Sequence, residues 1–239
     1  MLAAFGFGFL AAASLLVGAA IGIWARLPAR VIAWVMALGA GVLIASVAYD
    51  LIGEALRDDT HTEVMLGATA GALTFFVGDV LVSRGGADRR KTSTGTGGAG
   101  AALALGALLD GIPESAALGV TMLETGTPSL VFLFAVALSN FPEGLSSASG
   151  MRMSGHSARS ILTLWLGICV AAGLAAAIGY GALGGVSVGA LAVVLSFAAG
   201  AIITMLASTM LPEAAAQGGG PGVGLAATAG FLLAVLLGG

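Results

Sequence analysis

Long apolar stretches separated by short polar breaks dominate the chain. A helix needs about 20 apolar residues to cross the hydrocarbon of a bilayer. Eight stretches come near that length, and we predict helices at residues 3–24, 31–56, 64–83, 100–122, 128–150, 160–181, 187–211 and 221–238. The stretches are continuously apolar, whereas the strands of a membrane barrel alternate apolar and polar residues. The pattern therefore predicts an all-α integral membrane protein, an eight-helix bundle.

The composition agrees with that fold class. Hydrophobic residues make up 58% of the chain and charged residues 9%, whereas a soluble domain carries about 25% charged residues. The mean hydropathy is +1.05, and the 39 glycines suit helices that pack closely within lipid. We expect residues 1–239 to form a single transmembrane domain surrounded by the lipid bilayer, with no nucleic-acid partner.

The positions of the basic residues predict how the helices are oriented. Eight of the nine Lys and Arg residues fall in alternate loops on one side: Arg26, Arg30, Arg84, Arg89, Arg90, Lys91, Arg152 and Arg159. Basic loops tend to stay in the cytoplasm. We therefore expect a multi-pass protein of the cell membrane, inner or plasma, with both termini outside. Residues 84–99, rich in Gly, Ser and Thr, are predicted to form a flexible cytoplasmic loop.

Two copies of one short polar pattern lie inside apolar spans, DGIPES at residues 110–115 and SNFPEG at residues 139–144. In each copy the polar first residue and the Glu four places later share a helix face. The proline in each copy cannot donate a backbone hydrogen bond, which leaves the carbonyls of Leu109 and Leu138 without their helical partners. Carboxylates and carbonyls are expected to gather at one depth, which predicts an oxygen-rich cation site.

The acids within the spans need neutralisation, because a charge in the bilayer is costly. No Lys or Arg lies within a predicted span to pair with the acids in or next to the spans, namely Asp50, Asp110, Glu114, Glu143 and Glu213. A divalent metal that exchanges with protons is the simplest solution. The alternative is that the acids are protonated and hydrogen-bond the helices together. Glu54 could equally lie at the water interface.

An internal repeat is predicted from a second similarity. Residues 41–54 and 200–213 align without a gap, Gly to Gly and Glu to Glu. The alignment suggests that helices 1–3 and 6–8 are inverted repeats around helices 4 and 5, a 3+2+3 layout. Inverted repeats of this kind are common among secondary transporters.

These motifs resemble those of the Zrt/Irt-like (ZIP) family of metal-ion transporters, and the resemblance covers nearly the whole chain in topology. It implies one metal site formed by Asp110, Glu114, Ser139 and Glu143. It also implies an adjoining second site that uses Asn140 and Glu213 and shares Glu114 and Glu143. Asp50 and Glu54 match family positions near the outer entrance.

The chain departs from the family pattern at three positions. Asp110 replaces a His, Gly111 replaces an Asn and offers no side-chain ligand, and Ser139 stands where stronger ligands are common. The side-chain ligands are then all oxygens, which suit Mn²⁺ or Fe²⁺ as well as Zn²⁺. Zinc remains the first expectation, with manganese, iron or cadmium as alternatives, and the second site is expected to be impaired or absent.

The function expected is uptake of a divalent transition metal into the cytoplasm. Metal would enter an outer vestibule of acids, Asp50, Glu54, Asp58 and Asp59, and leave near His156, as the repeats rock against helices 4 and 5. The metal is a substrate and no prosthetic group is expected. Protons are a candidate coupling ion, and a homodimer is compatible with this interpretation.

Two other functions stay open at this stage. A proton-coupled carrier of a small organic solute could use the same acids as a proton relay. An intramembrane hydrolase is weaker, because His61 and His156, the two histidines of the chain, fall in loops on opposite sides and cannot serve Ser139 as a base. We therefore do not expect an enzyme.

Overall fold

A computed structural model describes residues 1–25, 27–58, 60–84, 99–123, 125–183 and 185–238. Within these ranges the side chains of residues 82–84, 99–105, 109, 110 and 238 are not described. The described elements are all helices: α1 (Leu2–Trp24), α2 (Ala29–Ala55), α3 (His61–Arg84), α4 (Ala99–Val120), α5 (Leu130–Met153), α6 (Ala158–Ala182), α7 (Val188–Gly219) and α8 (Gly222–Gly238). The all-helical class and the eight helices are thus confirmed.

Among the described residues, six helices are apolar and long enough to cross a membrane, namely α1, α2, α3, α5, α6 and α7. The structure therefore agrees with a multi-pass membrane protein. The predicted bounds are close except at the end of α7, where we expected the helix to stop at residue 211 before Pro212. The helix instead continues to Gly219, because a π-helical segment, Leu206–Met210, comes directly before the proline turn and adjusts the hydrogen-bond ladder there.

Helix contacts divide the bundle into two sets. Helix α1 packs on α5 and α6, and α4 also packs on α6. In a second set, α3 packs on α7, and α2 packs on α8 and α7. The two sets meet where α2 contacts α5 and where α4 contacts α7. We refer to α1, α4, α5 and α6 as the first helix group and to α2, α3, α7 and α8 as the second.

Glycine allows the helix pairs within each group to approach closely. Gly144 of α5 lies against the backbone of Leu15 in α1, and Gly200 of α7 lies against the Ala68 carbonyl in α3. Gly41 of α2 lies against the Ala227 carbonyl in α8 in the same way. Close packing of backbones supplies the attraction that lipid cannot. These contacts account for part of the glycine-rich composition.

Both α2 and α7 contain a π-helical segment at a matching place. The segments are Val47–Ile52 and Leu206–Met210, and the ungapped alignment that pairs Gly41 with Gly200 also pairs Val47 with Leu206. Each helix then carries its aligned glutamate, Glu54 or Glu213, shortly after the segment. A π segment is an unusual local structure, so its recurrence at aligned positions is a similarity beyond shared apolar composition.

Candidate functional site

A cavity of about 90 Å³ lies between the two helix groups. Helices α4 and α5 of the first group supply most of its polar lining, and α2 and α7 of the second complete it. The polar lining side chains are Glu114, Ser139, Asn140, Glu143, Ser146, Ser147, Thr209 and Glu213. The space exceeds the roughly 10–15 Å³ that a single water requires by the same measure. We call this space the central cavity.

The two Pro-Glu copies reach the central cavity from neighbouring helices. Helix α4 continues through Pro113 and α5 continues through Pro142, both without interruption. Glu114 is 2% exposed, whereas Glu143 is partly exposed. Repetition of the pattern thus places a carboxylate from each helix on one cavity wall. Pro142 has no backbone N–H to donate to the Leu138 carbonyl. This carbonyl lies against Gly39 of α2.

Ser139 and Asn140 are buried beside these carboxylates. The Ser139 hydroxyl donates to the carbonyl of Val136, 3.0 Å away on the preceding turn. A hydroxyl that donates a hydrogen bond to the backbone still has oxygen lone pairs that can bind a cation. Asn140 brings an amide that can present either an acceptor or a donor to the cavity.

Glu213 enters the central cavity from the second helix group. Its Oε1 accepts a hydrogen bond from the Gln217 side-chain amide at 2.9 Å. The same amide nitrogen lies 3.2 Å from Ser146 Oγ on α5. The carboxylate is therefore tied both to the next turn of α7 and, through Gln217, to the opposite helix group.

Asp110 lies on α4 one turn before Glu114, but its side chain falls outside the part of the chain that the structure describes. Gly111 lines a small separate cavity of about 10 Å³ together with Ser115 and Asn140. A Cβ placed on Gly111 would meet no atom within 4 Å. The position therefore has room for a side chain that this sequence does not supply.

Asp50 and Glu54 line a different space, which we call the outer cavity. It measures about 390 Å³ and lies between the end of α2, the end of α4 with the residues that lead to α5, and the start of α7. Asp50 Oδ1 accepts a hydrogen bond of 3.0 Å from Ser129, whose hydroxyl also caps the N-terminus of α5. Ser129 is ten residues before Ser139, about 15 Å along a helix. The two acids thus do not join the central group.

The outer cavity is less acidic than the sequence suggested. Arg57 lines it and pairs with Glu54 at 2.8 Å. Asp58 is exposed, and Asp59 is outside the described residues. A guanidinium at this mouth partly offsets the negative charge that we expected to attract cations.

His156 does not line the central cavity or the outer cavity. Its Nδ1 lies 3.2 Å from the Met151 carbonyl, and Arg152 donates to the His156 carbonyl. These contacts stabilise the short turn after α5. A role for His156 in metal exit stays a prediction.

Several residues that line the central cavity or contact its lining were not anticipated from the sequence. Three are methionines of the central cavity, Met36, Met205 and Met210. Gln217 could have been noticed, because it is the only glutamine of the chain as Asn140 is the only asparagine, and it follows Glu213 by one helical turn. The methionines gave no such signal, since they lie within apolar stretches.

The arrangement offers oxygen atoms that suit a cation but does not form a compact ligand cluster. Among the described residues, no three His, Cys, Asp or Glu side chains lie close enough together to hold a metal ion. Glu114, Glu143 and Glu213 surround the cavity from different helices, together with hydroxyl and amide oxygens. Oxygen ligands of these kinds suit hard and borderline divalent cations.

Comparison of the chain with protein-family models gave no match, and comparison with curated proteins gave none either.

Proposed function

We propose that this protein is a transporter that takes a divalent transition metal, zinc first, across the cell membrane into the cytoplasm. The observation that carries the proposal is the central cavity, where three carboxylates, an amide and hydroxyls from α4, α5 and α7 surround one space within an apolar bundle. Ionisable residues at membrane depth are costly, and those that face a cavity within a bundle mark substrate or ion pathways.

The proposal extends the resemblance to the ZIP family. Asp110, Glu114, Ser139 and Glu143 would hold the metal in transit, and Asn140 with Glu213 would contribute on the side of the second helix group. Zinc binds carboxylate oxygen at about 2.0–2.2 Å, and manganese or iron would fit the same oxygen set. Cadmium would be accepted as a larger, softer substitute, for which the neighbouring methionine sulfurs are compatible ligands.

We further propose a 3+2+3 layout in which helices 1–3 and 6–8 are inverted repeats. The matching π segments of α2 and α7 support it, as do Gly41 and Gly200, which make the same kind of close contact at aligned positions. With basic loops in the cytoplasm, both termini lie outside. Glu54 is then near the outer surface and Glu213 toward the cytoplasm.

Access would alternate through movement between the two helix groups. The central cavity lies at their boundary, since α4 and α5 line one side and α2 and α7 the other. On the outer side, buried residues of α5 separate Ser129 from Ser139, namely Phe132, Ala135 and Val136. The expectation that the repeats rock against α4 and α5 stays a prediction.

The test is metal influx into proteoliposomes that contain the purified full chain, measured with and without a pH gradient. We expect Zn²⁺ influx above that of empty vesicles, reduced by competing Mn²⁺, Fe²⁺ or Cd²⁺. Asp110→His should shift the competition toward zinc, because imidazole is a stronger zinc ligand. Proton flux that depends on the pH gradient and does not change when metals are added would instead support the organic-solute carrier.

A further inference from the structure

Gln217 lies behind Glu213 as seen from the central cavity. Glu213 and Ser146 both line the cavity, whereas Gln217 does not. The Gln217 amide contacts both of them, at 2.9 Å and 3.2 Å. An amide nitrogen carries two hydrogens, so one can go to each acceptor. Gln217 therefore contacts a candidate ligand without being placed to act as one.

The backbone around Gln217 suits this position. Gln217 lies in the last π-helical segment of α7, Ala215–Gly219. Gly218 follows it at φ 90°, a left-handed conformation that favours glycine. The backbone thus departs from helical geometry at Gly218, within the last segment of α7, and the Gln217 side chain remains on the turn that faces Glu213 and α5.

The aligned glutamate at the other end of the protein has a different partner. Glu54 pairs with Arg57, whose guanidinium is 2.8 Å from the Glu54 carboxylate. Glu213, its counterpart in the alignment, receives a neutral amide at nearly the same distance. A guanidinium holds a carboxylate and offsets its charge, whereas an amide holds it and leaves the charge in place.

We propose that Gln217 is a positioning residue that fixes the Glu213 carboxylate at the central cavity without neutralising it, and so sets the affinity of the cavity for a divalent cation. The inference rests on the proposed function and deepens it. It assigns the glutamine a part in cation affinity, and it explains why a neutral donor rather than a cation stands next to Glu213.

The test uses three variants of the full chain: Gln217→Met, which keeps the bulk and removes the donor, Gln217→Lys, which keeps a donor and adds a charge, and Thr228→Ala on α8 as a control. Thr228 donates to the Gly224 carbonyl of its own helix and is exposed. KM and kcat for Zn²⁺ influx are measured in proteoliposomes, and equilibrium Zn²⁺ binding is measured on the purified protein.

A hydrogen bond to a charged group is worth roughly a tenfold change in affinity or more. We expect Gln217→Met to raise KM and the dissociation constant for Zn²⁺ by about tenfold, with a smaller change in kcat. Gln217→Lys should weaken binding at least as much despite its donor. Thr228→Ala should match the wild type in both measurements.

A double-mutant cycle with Glu213→Gln separates positioning from a general structural role. If Gln217 acts through Glu213, Gln217→Met should add little to the effect of Glu213→Gln. Additive effects would overturn the inference, as would an unchanged KM in Gln217→Met beside a wild type that transports. A wild type that neither binds nor transports Zn²⁺ would overturn the proposed function and, with it, this inference.

Discussion

The contact between Gly200 and the Ala68 carbonyl gives the sharpest prediction about the fold. An added methyl group at Gly200 would overlap this carbonyl and other backbone atoms of Ala68. Backbone atoms cannot rotate away as a flexible side chain could, so α3 and α7 must separate. Overpacking of this kind costs about 1–3 kcal/mol. Gly200→Ala should therefore loosen the α3–α7 pair.

Gly167→Ala is the matched control. Gly167 lies within α6, and a Cβ there would meet no atom within 4 Å. Both variants gain the preference of a helix for Ala over Gly, about 0.5–1 kcal/mol. The difference in unfolding free energy between them is then the overpacking cost itself. Gly41→Ala, the repeat counterpart at the Ala227 carbonyl, should resemble Gly200→Ala.

The assay is thermal unfolding of purified protein in one detergent, followed by tryptophan fluorescence and by loss of the monodisperse peak in size-exclusion chromatography. A change of 1 kcal/mol shifts the melting temperature of a chain of this size by about 2–4 °C. We expect Gly200→Ala and Gly41→Ala to melt below the wild type or level with it, and in both cases below Gly167→Ala. Melting of Gly200→Ala at or above the temperature of Gly167→Ala would refute the assigned packing.

Three other substitutions test the two cavities. Ser129→Ala removes the α5 cap and the hydrogen bond to Asp50, which together stabilise the fold by about 2 kcal/mol. This variant should lower the melting temperature, whereas Ser129→Thr, which keeps the hydroxyl, should not. Arg57→Ala removes a pair whose side chains are 63% and 27% exposed; it should leave stability nearly unchanged and lower the KM for Zn²⁺ by about fivefold at most, and an increased KM would contradict this. Gly111→Asn should fold normally and tighten equilibrium Zn²⁺ binding, because the position is open beside Asn140; unchanged binding would contradict this.

The helices and their carboxylates could be predicted from the sequence because each depends on local features. Apolar length determines where a helix can cross, and the Pro-Glu spacing places Glu114 and Glu143 at similar depths on their helices. The structure brings both to one cavity with Ser139, Asn140 and Glu213. Their role in metal binding stays a prediction, as does that of Asp110.

The arrangement of helices relative to one another could not be predicted in the same way. Which helices become neighbours depends on glycine faces such as those of Gly144 and Gly200, and a sequence this rich in glycine offers many such faces. Two side-chain contacts could not be predicted either. The pair between Arg57 and Glu54 depends on how a long side chain folds back onto its helix, and the contact of Gln217 with Glu213 depends on a helix that continues past Pro212.

The central claim is that the carboxylates of the central cavity carry a divalent metal across the membrane. The most direct measurement is Zn²⁺ influx into proteoliposomes containing wild type, Glu143→Ala or Asp79→Asn. Asp79 is an acid of α3 that does not line the central cavity. The account predicts influx for wild type and Asp79→Asn and loss of influx for Glu143→Ala. Influx by the wild type no greater than that of empty vesicles, or full influx by Glu143→Ala, would contradict it.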